Sequence, residues 1–165
     1  MDDAPKETLF TAFSKRSTFL KVLFILSANY IVFNLFGAIY NSIASDMAIE
    51  NIENTISQIQ YSEMSQVALA DPYRGYLNHY LVNFSLNNLL SMIVLLIDAL
   101  GIIIMFKGRK IGYWIYTLSN VILVIGTITL SVWPNIFSSI FLMLTIVFFG
   151  AFQVLYAVNL KHLKA

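Results

Sequence analysis

Residues 86–131 read LNNLLSMIVLLIDALGIIIMF, then KGRK, then IGYWIYTLSNVILVIGTITLS, and this stretch decides the fold. Each flanking run holds about 20 mostly apolar residues, the number that carries a helix rising 1.5 Å per residue across about 30 Å of hydrocarbon. The connection between them, Lys107-Gly108-Arg109-Lys110, is long enough only for a tight turn. Two spanning helices must therefore lie side by side and antiparallel.

Two further runs have the same character, residues 22–40 before the hairpin and 136–158 after it. Val132-Trp133-Pro134-Asn135 is a second short turn, and Pro134 keeps the third and fourth spans from fusing into one helix. The first run is longer than the roughly 7 to 15 residues of a signal-peptide core. Although Ser42-Ile43-Ala44 offers small residues for cleavage, an uncleaved anchor is expected. The pattern predicts an all-α membrane protein: one integral membrane domain over residues 1–165, a four-helix transmembrane bundle with spans 22–40, 86–106, 111–131 and 136–158.

Composition agrees. The 165 residues are 58% hydrophobic and 12% charged, against about 25% charged in an average soluble domain. A net charge of +1 removes nucleic acid as an expected partner. With no cysteine there is no disulfide framework, thiolate metal site or cysteine nucleophile. The two halves show no internal repeat, unlike many transporters.

The charges are sorted along the chain. Of the ten Lys and Arg residues, all but Arg74 fall beside the first span (Lys6, Lys15, Arg16, Lys21), in the middle turn (Lys107, Arg109, Lys110) or after the fourth span (Lys161, Lys164). Basic residues stay on the cytoplasmic face. Both termini are thus expected in the cytoplasm of a bacterial inner membrane, with the loop 41–85, which carries Asp46, Glu50, Glu53, Glu63 and Asp71, outside. Tyr113 and Trp114 near the basic turn and Trp133 at the other end fit interfacial aromatic belts. Near the N-terminus, Leu9, Phe10 and Phe13 alternate with basic and polar residues as in a short interfacial helix.

The outer loop is expected to be helical. Ile49, Ile52, Ile56 and Ile59 recur at steps of three and four among polar residues, an amphipathic pattern. Asp71-Pro72 reads as an N-cap followed by a first-turn proline, opening a helix that runs through Tyr76, Tyr80 and Phe84 into the second span. The segment either caps the bundle or offers a surface to a partner.

Asp98 is the one ionisable residue within the four spans. Placing Asp at the centre of a spanning helix costs about 2.5 to 3.5 kcal/mol on insertion scales, so it is expected to face protein or water. Each span carries a polar or small-residue stripe at helical spacing. These are Ser27, Tyr30, Asn34, Gly37 and Asn41; Asn87, Ser91, Asp98 and Gly101; Tyr116, Asn120 and Thr127; Ser139, Gly150 and Gln153. Stripes facing inward would let small residues bring backbones together and polar residues bond across helices. Counted from the nearest basic residue, Tyr30, Asp98, Asn120 and Gln153 lie within about 3 Å of one height, a mid-membrane polar layer in which Asp98 hydrogen-bonds Asn120 or Gln153. Three roles are open to this layer: fixing helix register, holding a proton or cation, or meeting a group on another membrane protein.

Nothing assembles a nucleophile, a base and oxyanion donors, and no phosphate-binding glycine loop or paired-histidine motif occurs. No enzymatic activity, cofactor or metal is expected, and His79 and His162 read as interfacial residues. The segment Lys107-Gly108-Arg109-Lys110-Ile111-Gly112-Tyr113-Trp114-Ile115-Tyr116, with four spans and a long first outer loop, resembles small four-span inner-membrane proteins of Bacteroidota-type bacteria. The resemblance covers the last three spans and implies no functional residues. The expected partners are the lipid bilayer and either another membrane protein or further copies of the chain. Function is read as a non-catalytic accessory or scaffold subunit, the alternative being a small oligomeric channel or proton-coupled carrier using the Asp98 layer.

Overall fold

A computed structural model describes residues 17–61 and 68–160. The expected N-terminal helix around Phe10 lies outside the described residues, with Lys6, Lys15, Arg16, Glu63, Lys161, His162 and Lys164. The described chain forms α1 (Thr18–Ile43), α2 (Ser45–Tyr61), α3 (Ala70–Val82), α4 (Phe84–Phe106), α5 (Ile111–Leu130) and α6 (Ile136–Val158). The fold is an all-α bundle in which α1, α4, α5 and α6 are long and apolar enough to cross a membrane.

Local chemistry sets the helix ends. The Ser17 side chain accepts from Leu20 N at 3.3 Å, capping α1. Gly108, at φ 89°, ends α4 in the left-handed region that glycine enters without steric cost, and Arg109 N and Gly108 N bond back to Ile104 O and Met105 O. Asn135 caps α6, its side chain accepting from Phe137 N and Ser138 N. The Trp133 indole donates to Ile128 O at 2.9 Å, covering a carbonyl in the last turn of α5.

The tightest packing is between α4 and α5. A Cβ on Gly101 would lie 2.8 Å from Tyr116 N and 3.0 Å from Gly112 O, so here the two backbones touch. Helix α1 packs against α4, and α6 against α5. Near the basic turn, α6 also meets α1, where the Ser27 and Tyr156 hydroxyls bond at 2.9 Å and the Tyr30 ring packs on Phe148 and Phe149. The core at this end is Leu20, Leu23, Ile31, Leu95, Ile102, Met105, Tyr116 and Tyr156. Outward-facing side chains are large and apolar: Phe33 is 76% and Phe36 69% exposed, as suits contact with lipid.

Helices α2 and α3 form a hairpin at the opposite end. Ile59 is buried and Ile49, Ile52 and Ile56 half-buried, so the isoleucine stripe is the packed face. Asp71 is not the cap expected of it. Helix α3 starts at Ala70 with Leu69 before it, and the Asp71 carboxylate instead pairs with Arg74 at 2.9 Å. Pro72 still sits in the first turn, where a missing N–H costs no helix bond. Nor does α3 run unbroken into the second span. Asn83 separates α3 from α4, its amide bonding back to His79 O at 3.1 Å in the way asparagine competes with helical bonding.

One of the predicted inward stripes, that of α6, is rotated. On α6 the buried positions are Ser138, Phe149 and Tyr156, while Ser139 and Gly150 are exposed. On α1 the stripe of Tyr30, Asn34, Gly37 and Asn41 faces an open cleft, and a Cβ at Gly37 or Gly150 would meet nothing within 4 Å. Large aromatic rings fill the interior better than small polar groups do, so on α6 they take the inner face.

Candidate functional site

Asp98 is 1% exposed at the middle of α4, and its partner is Ser119 on α5, whose hydroxyl donates to Asp98 Oδ1. The expected bond to Asn120 or Gln153 is not made. Asp98 lies nine residues before Lys107 and Ser119 nine after Lys110, so an antiparallel hairpin with touching backbones brings them level. Asn120, one residue further on, points away by about 100°. Its amide nitrogen donates to Tyr116 O at 2.7 Å.

The four residues of the predicted layer therefore serve two different spaces. Tyr30 and Asp98 line a cleft of about 250 Å³ between α1 and α4, closed by Leu123 of α5 and Phe149 of α6. Asn34 and Ser91 line it as well, and the Tyr80 ring of α3 reaches it from the hairpin. Residues from Asn88 to Asp98 mark its walls along α4, a depth of about 15 Å. Beyond Asp98 towards the basic turn stands the apolar core of Ile102, Met105, Tyr116 and Tyr156. Asn87 faces a separate space of about 190 Å³ beneath the hairpin, beside Tyr76, His79 and Thr127.

Asn120 and Gln153 border a wider groove of about 500 Å³ on the opposite side, between α5 and α6, where Gly150 and the aliphatic Val121, Val124 and Ile146 also lie. Gln153 Oε1 bonds the Thr117 hydroxyl at 2.9 Å. Asn120 Oδ1 and Gln153 Nε2 are buried with no hydrogen-bond partner. Between the two spaces stands Phe149, which contributes to both walls.

Residues not anticipated as site residues hold these spaces open. Asn88 is buried on α4 and donates to Ala38 O at 2.9 Å and to Ser42 Oγ at 2.6 Å, joining α4 to α1 at the mouth of the cleft. Asn135 Nδ2 donates to Pro72 O at 2.8 Å, fastening α3 to the start of α6. Tyr73 and Tyr76 stack on Phe137 and Phe141 of α6 beside it. At the hairpin, burial pushes the Tyr76 and Tyr80 phenols above their ordinary value, with neighbouring tyrosines adding to the effect at Tyr76. Among the described residues no group of three His, Cys, Asp or Glu side chains could hold a metal. No protein-family model matches the chain, and no curated protein or solved structure does so either.

Proposed function

We propose that this chain is a non-catalytic accessory subunit, which binds a transmembrane helix of another membrane protein in the groove between α5 and α6. The observation that carries the reading is a groove bordered by aliphatic side chains and lined by Asn120 and Gln153, whose Oδ1 and Nε2 atoms are buried behind its wall without a partner. Each such atom, buried without a partner, costs about 1 to 3 kcal/mol. Turned toward the groove, this acceptor and donor would together complement one Asn or Gln side chain, which offers both. Gly150 leaves room for a helix to approach. The sorting of charge supports a bacterial inner membrane with both termini in the cytoplasm and the α2–α3 hairpin outside.

A photo-crosslinking residue at Val121, on the rim of the groove, tests this in native membranes. The expected product is a single adduct whose extra mass is that of a different protein, absent with the crosslinker at Leu100 on the outer face of α4. It should vanish in Gly150→Leu, which fills the groove at a position where added atoms meet nothing. Lipid adducts alone at Val121 would end the accessory reading. Adducts at multiples of the chain's own mass would favour the alternative, an oligomeric channel or proton-coupled carrier, for which the supporting observation is Asp98 at the floor of the cleft.

A further inference from the structure

The cleft between α1 and α4 holds one carboxyl group, Asp98, among neutral polar and aromatic side chains. Asn88 donates both amide hydrogens, to Ala38 O and Ser42 Oγ, and Ser91 donates its only hydroxyl proton to Asn87 O at 2.8 Å. Asn34 donates to the backbone as well, to Tyr30 O at 2.8 Å. Asn88 and Ser91 thus keep only oxygen lone pairs for the cleft, while Asn34, Asn41 and the Tyr30 and Tyr80 hydroxyls bring donors as well as acceptors. At the floor is a carboxyl group, already receiving one hydrogen bond from Ser119 and facing no Lys, Arg or His across the lining. The rings of Tyr30, Phe33 and Phe149 complete the walls.

This combination favours a particular ligand chemistry. An anion would meet the Asp98 carboxyl with no cation in the lining to offset it. A divalent metal wants six or more oxygen ligands with several charges among them, and the cleft supplies one carboxylate. An ammonium group carries three N–H donors for the Asp98 carboxyl and the side-chain oxygens beside it, places a positive charge opposite Asp98, and is attracted to aromatic faces. The volume of about 250 Å³ equals about eight water molecules at 30 Å³ each, enough for an amine with a short aryl or alkyl tail but not for a whole phospholipid. We propose that the cleft binds a small primary ammonium compound, its N–H groups directed at Asp98 and at the oxygens of Asn34, Asn88 and Ser91, its tail against the aromatic wall. The site does not depend on the partner reading, since the two spaces lie on opposite sides of Phe149.

The full chain in phosphatidylcholine and phosphatidylglycerol nanodiscs, titrated with radiolabelled phenethylammonium, tests the proposal. Saturable binding at one site per chain is expected, weakened at least about tenfold in Asp98→Asn, as loss of a charge-assisted hydrogen bond requires. Gly37→Leu should weaken it similarly while leaving every polar group in place, because the new side chain grows from open space into the cleft. This variant keeps the test decisive if Asp98→Asn fails to fold. Choline, a cation without N–H donors, should bind much more weakly. No saturable binding by the wild type would overturn the proposal, as would equal binding by both variants or by choline. Adding phosphatidylethanolamine separates the sources of the ammonium group. Competition from it identifies a lipid headgroup as the occupant, and unchanged binding identifies a free amine, either result upholding the ammonium site.

Discussion

The Ser119 hydroxyl donates to the Asp98 carboxyl across the α4–α5 interface, about one helical turn further from the basic turn than the crossing where the Gly101 and Gly112 backbones meet. The bond gives the buried acid a fixed orientation without a cation. Interhelical hydrogen bonds in membranes average about 0.6 kcal/mol and reach about 1.7, so Ser119→Ala should lower stability within that range. Asp98→Asn keeps an interhelical acceptor for Ser119 and should cost less than Asp98→Leu, which leaves the hydroxyl only the carbonyl of Tyr116 on its own helix, at 2.8 Å. A double-mutant cycle on Ser119 and Asp98 in detergent unfolding checks this. A coupling energy indistinguishable from zero would mean that the contact does not hold the helices.

Not all glycines in the spans are equivalent. A methyl group on Gly101 would enter the backbone of Tyr116, and one on Gly112 the backbone of Met105, so neither contact can be relieved by a side-chain rotation. Gly101→Ala should destabilise by about 1 to 3 kcal/mol, the usual cost of overpacking. Gly150→Ala meets nothing within 4 Å and should be neutral or stabilising by up to about 1 kcal/mol, through helix propensity. Unfolding midpoints of the two variants in sodium dodecyl sulfate give the comparison, and equal midpoints would contradict a touching crossing.

These two results separate what the sequence encodes locally from what it does not. Span positions follow from runs of apolar residues, a property of each segment alone, and the observed α6 ends, Ile136 and Val158, are those read from the pattern. The isoleucine stripe of α2 was legible for the same reason. The rotation of each helix about its axis depends on neighbours. Polar residues were expected inside α6, yet Phe149 and Tyr156 fill the interior and Gly150 faces outward. Asn120 looked like the partner of Asp98 because its height matches, but height without azimuth does not pair residues. The signal that finds Ser119 is symmetry about the turn. Asp98 and Ser119, Gly101 and Tyr116, and Met105 and Gly112 are each equidistant from its centre between Gly108 and Arg109. Asn88 had no such marker, because its partners, the carbonyl of Ala38 and the hydroxyl of Ser42, lie on the separate helix α1.

The hairpin should respond to alkaline pH. Burial raises the Tyr76 and Tyr80 phenols above their ordinary value of 10.0. In the docked hairpin they hold their protons after an undocked or unfolded chain has begun to lose them. The unfolded state then binds fewer protons, so stability falls as pH rises. Docking is thus fully favourable below about pH 10 and weakens above it. Near-ultraviolet circular dichroism should stay flat up to that point and then decline. The double variant Tyr76→Phe with Tyr80→Phe should lose less signal in the same range. A decline of the same size in both proteins would locate the ionising groups elsewhere.

The orientation rests on charge alone and has a direct check, because the natural chain has no cysteine to mask. Glu53 is exposed on α2 and Arg109 is exposed in the α4–α5 turn, at opposite ends of the bundle. Single variants Glu53→Cys and Arg109→Cys place one thiol at each end without entering the packed interface. If the basic turn lies in the cytoplasm, a membrane-impermeant maleimide added to intact spheroplasts should label Glu53→Cys and leave Arg109→Cys unlabelled until the membrane is permeabilised. The reverse order would invert the protein. The cleft above Asp98 would then open towards the cytoplasm, because its mouth lies at the hairpin end, beside Asn88 and Tyr80.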